Sequence, residues 1–158
     1  MNIYLNINDV RDTTKNINVC DNIRYLYPKK NTIMDGEFTK ILYSKEYVTL
    51  NGLYLCLPIT LEKNNNYENH VRYIVNTSNN MSIVQDLKNL EINILNNFKI
   101  YAKKQKLLEL VLSKQLNTGC IRVYHDHKNK KKNKYVIKIS GIWETEQKIG
   151  LTFKILEL

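Results

Sequence analysis

The sequence predicts an α+β domain that is mainly antiparallel β, and three observations carry that prediction. Short runs rich in β-branched and aromatic residues alternate with polar ones in both the first and the last third of the chain. Between them, one long stretch repeats its apolar residues at steps of three and four, the period of a helix. Asparagine-rich or lysine-rich segments separate the runs and read as connections.

Taken in order, Asn2 to Ile7 alternates asparagine with Ile3, Leu5 and Ile7, the pattern of a half-buried strand. Asn16 to Lys30 reads as irregular. Phe38 to Tyr43 and Tyr47 to Leu57 are β-rich, and Pro58, which cannot donate to a ladder, should end the second run or confine it to an edge. Asn51-Gly52 within it suits a tight turn or a bulge. Lys63 to Asn69 reads as a loop, and Val71, Tyr73 and Val75 alternate in a short strand.

The central helix is announced by Ser82 and Gln85 at capping-box spacing. Its apolar face is Ile83, Leu87, Leu90, Ile94, Phe98 and Tyr101. A second helical stretch carries Leu108, Val111, Leu112 and Leu116 on one face and should stop near Gly119, which tolerates the left-handed conformation that closes many helices. Lys103, Lys104 and Lys106 should cover the junction between the two. Cys120 to Tyr124, Tyr135 to Trp143 and Gly150 to Leu156 then read as closing strands. This order fits a small OB-like barrel with the helix plugging one end, or a curved sheet with a central helical segment.

With 158 residues the chain is long enough to bury a core without disulfides or a structural metal, and it reads as a single domain over 1–158. Within it, 1–36 is an N-terminal strand and irregular segment and 37–158 the core. No apolar run reaches the roughly 18 residues that span a bilayer, so no membrane association is expected. The N-terminus lacks the basic and apolar regions of a signal peptide, which points to an intracellular protein. Cys20, Cys56 and Cys120 are isolated and odd in number, which suits buried free thiols better than a zinc or redox motif.

A formal charge of +9 creates a positive field that favours an acidic partner: nucleic acid, anionic lipid or an acidic protein. Part of it accompanies a bias toward lysine, asparagine and isoleucine that AT-rich coding sequence produces on its own. The sharpest clue lies in the last third. Lys128, Lys130, Lys131, Lys132 and Lys134 fall between two strands, where a hairpin loop would present them to phosphates. On the flanking strands, alternation puts Arg122 and Tyr124 opposite Ile121 and Val123, and Lys138 and Ser140 opposite Ile137 and Ile139. One sheet face would then be basic and partly aromatic, the combination that grips the backbone and stacks the bases of a single strand. Trp143 shares the parity of the inward Ile137 and Ile139, and only a bulge at Gly141 would turn it toward that face.

Other combinations carry less. His125-Asp126-His127 has no further Cys or His nearby and reads as a solvated strand end rather than a metal site. Glu144 and Glu146 share one turn and would bind a cation weakly at best. Nucleophile elbows, glycine-rich phosphate loops and the His-Glu-x-x-His pattern are missing, so no catalysis and no cofactor are expected. Asn76-Thr77-Ser78 and Asn80-Met81-Ser82 match the glycosylation tripeptide, which matters only in a secreted chain.

The runs Phe38-Thr39-Lys40-Ile41-Leu42-Tyr43-Ser44 and Ile139-Ser140-Gly141-Ile142-Trp143-Glu144-Thr145, with Gly150-Leu151-Thr152-Phe153-Lys154, resemble small uncharacterised proteins of nucleocytoplasmic large DNA viruses. In its layout of strands, helix and strands the chain is also similar to OB-fold single-stranded DNA-binding proteins of DNA viruses and phages. The phage proteins end in an acidic tail with a terminal aromatic, whereas this chain ends Lys154-Ile155-Leu156-Glu157-Leu158. The resemblance implies DNA replication or genome handling in a host cytoplasm, nucleus or viral factory.

The sequence therefore points to a non-enzymatic, sequence-tolerant binder of single-stranded nucleic acid, DNA favoured over RNA. Arg122, Lys130, Lys131, Lys132, Lys134 and Lys138 would hold phosphates, and Tyr124 and Trp143 would stack bases. The competing readings are a virion or assembly subunit that meets acidic protein or packaged genome, with homo-oligomers as one form, and a small regulator of a host or viral enzyme.

Overall fold

The computed structural model describes residues 5–6, 18–59, 61–66, 70–75, 80–125 and 134–158. It is α+β, and its sheet is mostly antiparallel with some parallel pairs. Strand β1 is Leu5–Asn6, and a 3-10 turn at Val19–Asn22 leads into β2, Ile23–Tyr25. Strand β3 is Lys29–Lys30, β4 Glu37–Lys45, β5 Val48–Leu50 and β6 Leu53–Leu57. Then come β7, Leu61–Asn66, and β8, His70–Val75. Helix α1 runs from Met81 to Ala102, followed by β9, Leu107–Glu109, and helix α2, Val111–Asn117. Strands β10, Cys120–His125, β11, Tyr135–Glu144, and β12, Lys148–Glu157, complete the chain.

The main path of the sheet runs β1-β6-β11-β12-β10-β8-β7, with β4 on the far part of β11. It is an open order, so the closed barrel is not formed among the described residues. The helix plugs no barrel end. Instead, Ile83, Leu87, Leu90, Ile94 and Phe98 of α1 join Leu112 and Leu116 of α2 in one cluster with Leu53, Leu55, Ile137, Ile139 and Ile155 of the sheet. The inward positions of β6, β10 and β11 are thus spent on this core, and every second residue is left on the outer face.

Several elements depart from what local pattern predicts. The capping box is not used: Asn80 is the N-cap of α1 and its side chain makes no capping hydrogen bond, and Gln85 donates to Asn89 instead. Tyr101 is 61% exposed rather than on the packing face. Leu108 lies in β9, because Leu107–Glu109 pairs in parallel with β12 before α2 begins. Lys63 to Asn66 is strand, paired with β8, because ladder bonds satisfy the backbone whatever the local asparagine content. Tyr47 to Leu57 splits at the bend of Gly52, whose φ is +133°, so β5 pairs with β4 and β6 with β11. Part of Asn16 to Lys30 is ordered as the 3-10 turn, β2 and β3. The three thiols are free but partly exposed rather than buried.

Other expectations hold. Pro58 follows the last residue of β6, and Gly119, at φ +74°, follows α2 and donates to the Leu116 carbonyl. Glu91 on α1 is fully buried and accepts from the backbone N–H groups of Leu112 and Ser113 at 2.9 and 2.8 Å and from the Ser113 hydroxyl at 2.6 Å. It caps the N-terminus of α2 across the core, where the helix's unsatisfied donors and positive end favour a carboxylate. No described helix is long and apolar enough to cross a membrane.

Candidate nucleic-acid interface

The outer face is built by strand register. Lys138 of β11 lies between Tyr54 of β6 and Lys154 of β12. The next strand, β10, runs parallel to β12 with Tyr124 opposite Leu156, one outward position beyond Lys154. Alternation keeps Ile121, Val123, Ile137, Ile139 and Ile155 in the core and turns Arg122, Tyr124, Lys138 and Lys154 outward. The Lys154 ammonium stands 5.1 Å from the centre of the Tyr124 ring, and that of Lys138 stands 5.4 Å from Tyr54. Each contact contributes about 0.5–1 kcal/mol at an exposed site and holds the cation over the sheet.

A bulge sets the aromatic end of this face. Ile139 pairs with Phe153 and Gly141 with Thr152, so Ser140 is the extra residue and the parity of β11 reverses after it. Ile142 and Glu144 then point inward, and Trp143 points outward, the orientation that simple alternation forbids. Trp143 lies against Gly150, where an added Cβ would come within 2.3 Å of the indole. Phe38, paired with Trp143 across β4, lies likewise over Gly141, with 2.5 Å between its ring and an added Cβ. Both glycines are thus seats for rings.

Between β10 and β12 the pairing covers only Val123–His125 with Ile155–Glu157. Before that point a cavity of about 510 Å³ opens, lined by Gln115, Thr118, Cys120, Arg122, Tyr124 and Lys154 among others. Arg122 is exposed beside it, and its ladder partner on β8 is Arg72. Arg122, Lys138 and Lys154 make no ion pair with a carboxylate among the described residues. The outward positions of β4, β6, β10, β11 and β12 carry no acidic residue.

Of the residues singled out from sequence, Arg122, Tyr124 and Lys138 share this face, and Trp143 joins it through the bulge. Lys134 is exposed at the entry to β11. Lys130, Lys131 and Lys132 lie outside the described residues, as do Asp126 and His127. Sequence reasoning passed over Lys154, and it reads Tyr54 only as one of several tyrosines in strand-like runs that could stack bases. Lys154 follows directly from the alternation of Phe153, Ile155 and Glu157, but Tyr54 requires knowing that β6 pairs with β11.

Glu144 is a different kind of site from the weak cation ligand its turn position implied. It is buried and accepts from Lys104 at 2.7 Å and Lys106 at 2.8 Å, and Lys106 also donates to the Thr145 carbonyl. Burial pushes its carboxyl up, but the two ammonium groups outweigh burial and hold it below the usual carboxylate range. No group of three or more metal-ligating side chains occurs among the described residues.

Comparison with protein-family models, with curated proteins and with solved structures gives no match.

Proposed function

We propose that this protein binds single-stranded nucleic acid without sequence preference, laying it across the outer face of the sheet. The observation that carries this reading is the row Tyr54, Lys138, Lys154, Tyr124 and Arg122, in which cations without carboxylate partners lie beside aromatic rings across four strands. Cations answer the phosphate charge and rings offer stacking surfaces to any base, so affinity comes without base-edge readout. An open sheet with its helices on the opposite side can serve this role as an OB-like barrel does, since flat sheets with exposed aromatics also stack bases.

The single tryptophan provides the test, because it lies on the proposed face. Oligo-dT, oligo-rU and a duplex of equal length are titrated against the protein over a salt series while Trp143 emission and oligonucleotide anisotropy are followed. Single strands should quench the indole and bind more tightly than duplex, with log affinity falling linearly in log salt. An unchanged emission and anisotropy at low salt overturns the reading. Tighter binding of oligo-dT than oligo-rU supports a DNA partner, and the reverse an RNA partner.

A further inference from the structure

Away from the sheet's outer face, the C-terminal turns of α1 meet the segment after β2 and leave apolar groups in water. Tyr27 is 92% exposed, Ile100 79% and Tyr101 61%, with Leu26 beside them. Single exposed apolar residues are ordinary, but a contiguous set around shaped depressions marks an interaction surface. Two depressions are present, of about 380 and 360 Å³, and Tyr25 and Tyr101 line both. The larger also has Leu26, Pro28 and Phe98 in its walls, the smaller Ile23, Asn97 and Ile100.

The wall between them is fixed before any partner arrives. The Tyr25 and Tyr101 rings lie 4.5 Å apart, Tyr25 meets Phe98 edge to face at 5.3 Å, and the Tyr25 hydroxyl donates to Asn97 Oδ1 at 2.5 Å. Burial pushes the Tyr25 phenol far above its usual range, so it remains a neutral donor. A fixed wall with a hollow on each side is suited to two apolar anchors of one chain, since a preformed site needs little ordering on binding.

The charge around the hollows selects the partner. Arg24 lines the smaller hollow, and Lys29 and Lys103 directly follow Pro28 and Ala102, which line the larger; all three are exposed and have no ion-pair partner among the described residues. Arg24 is held in place by donating to the Asp21 and Ile23 carbonyls at 3.0 and 3.2 Å. Glu144, in the wall of the larger hollow, is paired with Lys104 of the same wall, which also lies 3.8 Å from Glu37. Among the described residues, neither hollow has any other carboxylate in its lining. The aliphatic groups of Leu26, Pro28 and Ile100 suit aliphatic or aromatic side chains better than nucleobases, which stack on rings.

The geometry points to a docking site for an acidic peptide segment of a partner protein, with two apolar side chains seated on either side of the Tyr25–Tyr101 pair and its carboxylates over Arg24, Lys29 and Lys103. The surface is separate from the proposed nucleic-acid face, so either reading stands without the other.

The probe is a short fluorescein-labelled peptide alternating Asp with Leu and Phe, titrated with the full chain and followed by anisotropy. Saturable binding is expected, weakened about tenfold or more by Ile100→Asp and by Tyr101→Ala, and weakened by Arg24→Glu. Ile100 is exposed, so Ile100→Asp should leave the far-UV circular dichroism unchanged. A companion peptide with Lys in place of Asp should not bind. Lys154→Glu and excess oligo-dT should leave the acidic peptide bound. Absence of saturable binding, equal binding of the lysine peptide, or indifference to Ile100→Asp overturns the site. Loss with Lys154→Glu, or displacement by oligo-dT, overturns it in favour of a single basic face that takes both kinds of polyanion.

Discussion

Lys104 and Lys106, near the end of β11, close on the buried carboxylate of Glu144, whereas Lys138, on the same strand, and Lys154 stand over tyrosine rings on the outer face. The chain spends its positive charge in two ways. In the first, the field of each ammonium ends on a carboxylate a few ångströms away, and its effect is structural. In the second, the side chain is held in position while its charge remains available to an incoming phosphate. Glu109, bonded by Lys114 and by Lys148 at 3.2 Å, repeats the first arrangement at the surface. A net charge of +9 cannot tell these lysines apart, and the pattern of carboxylate partners can.

The largest effect should come from Glu144. Glu144→Ala leaves the partly buried Lys106 ammonium without a counter-ion and Lys104 with only the more distant Glu37 at 3.8 Å, and should cost about 3 kcal/mol in urea unfolding. The same carboxyl sets a pH dependence. Its folded pKa lies below the unfolded value of about 4.3, so its contribution is complete above that pH and fades as pH falls through the folded value. Glu144→Gln should therefore be less stable than the parent at neutral pH and lose less between neutral pH and the acid limb. Parallel curves over that range would show that the clasp adds nothing.

Next in size are the unpaired cations and the ring between them. Tyr124→Ala should lower affinity for oligo-dT by about 1–3 kcal/mol. Replacing Arg122, Lys138 or Lys154 singly by glutamine should make the slope of log affinity against log salt shallower by about 0.7 each. Equal slopes in the parent and all three variants would remove phosphate contact from the outer face.

The seat of the indole comes third. Gly150→Ala drives a methyl group into Trp143 and should cost about 1–3 kcal/mol. Displacing the ring should shift its emission to the red and weaken quenching by oligo-dT. An unshifted spectrum would mean that the ring slides aside without leaving the face. The smallest effect is expected at the paired lysines: Lys114→Gln, next to Glu109, should leave the salt slope unchanged. A change there as large as at Lys154 would erase the distinction between paired and unpaired cations.

The sequence by itself determined the elements with a strong period. The face of α1 through Ile83, Leu87, Leu90, Ile94 and Phe98 and the alternation of Ile121 and Val123 against Arg122 and Tyr124 were legible, because burial is enforced residue by residue along one strand or helix. Tertiary structure decided which strands are neighbours, and with that the site. Tyr54 reaches Lys138, and Lys154 reaches Tyr124, only because β6 and β12 flank β11 and β10 follows β12. The bulge at Ser140 reverses Trp143, and β7 forms from an asparagine-rich stretch, because ladder pairing and core packing from distant residues outweigh local propensity. Glu144 looked like a turn carboxylate, since its lysine partners lie some 40 residues earlier in the chain. Periodicity records which side of an element is buried, but the partner across a sheet is a long-range choice that no local window of residues contains.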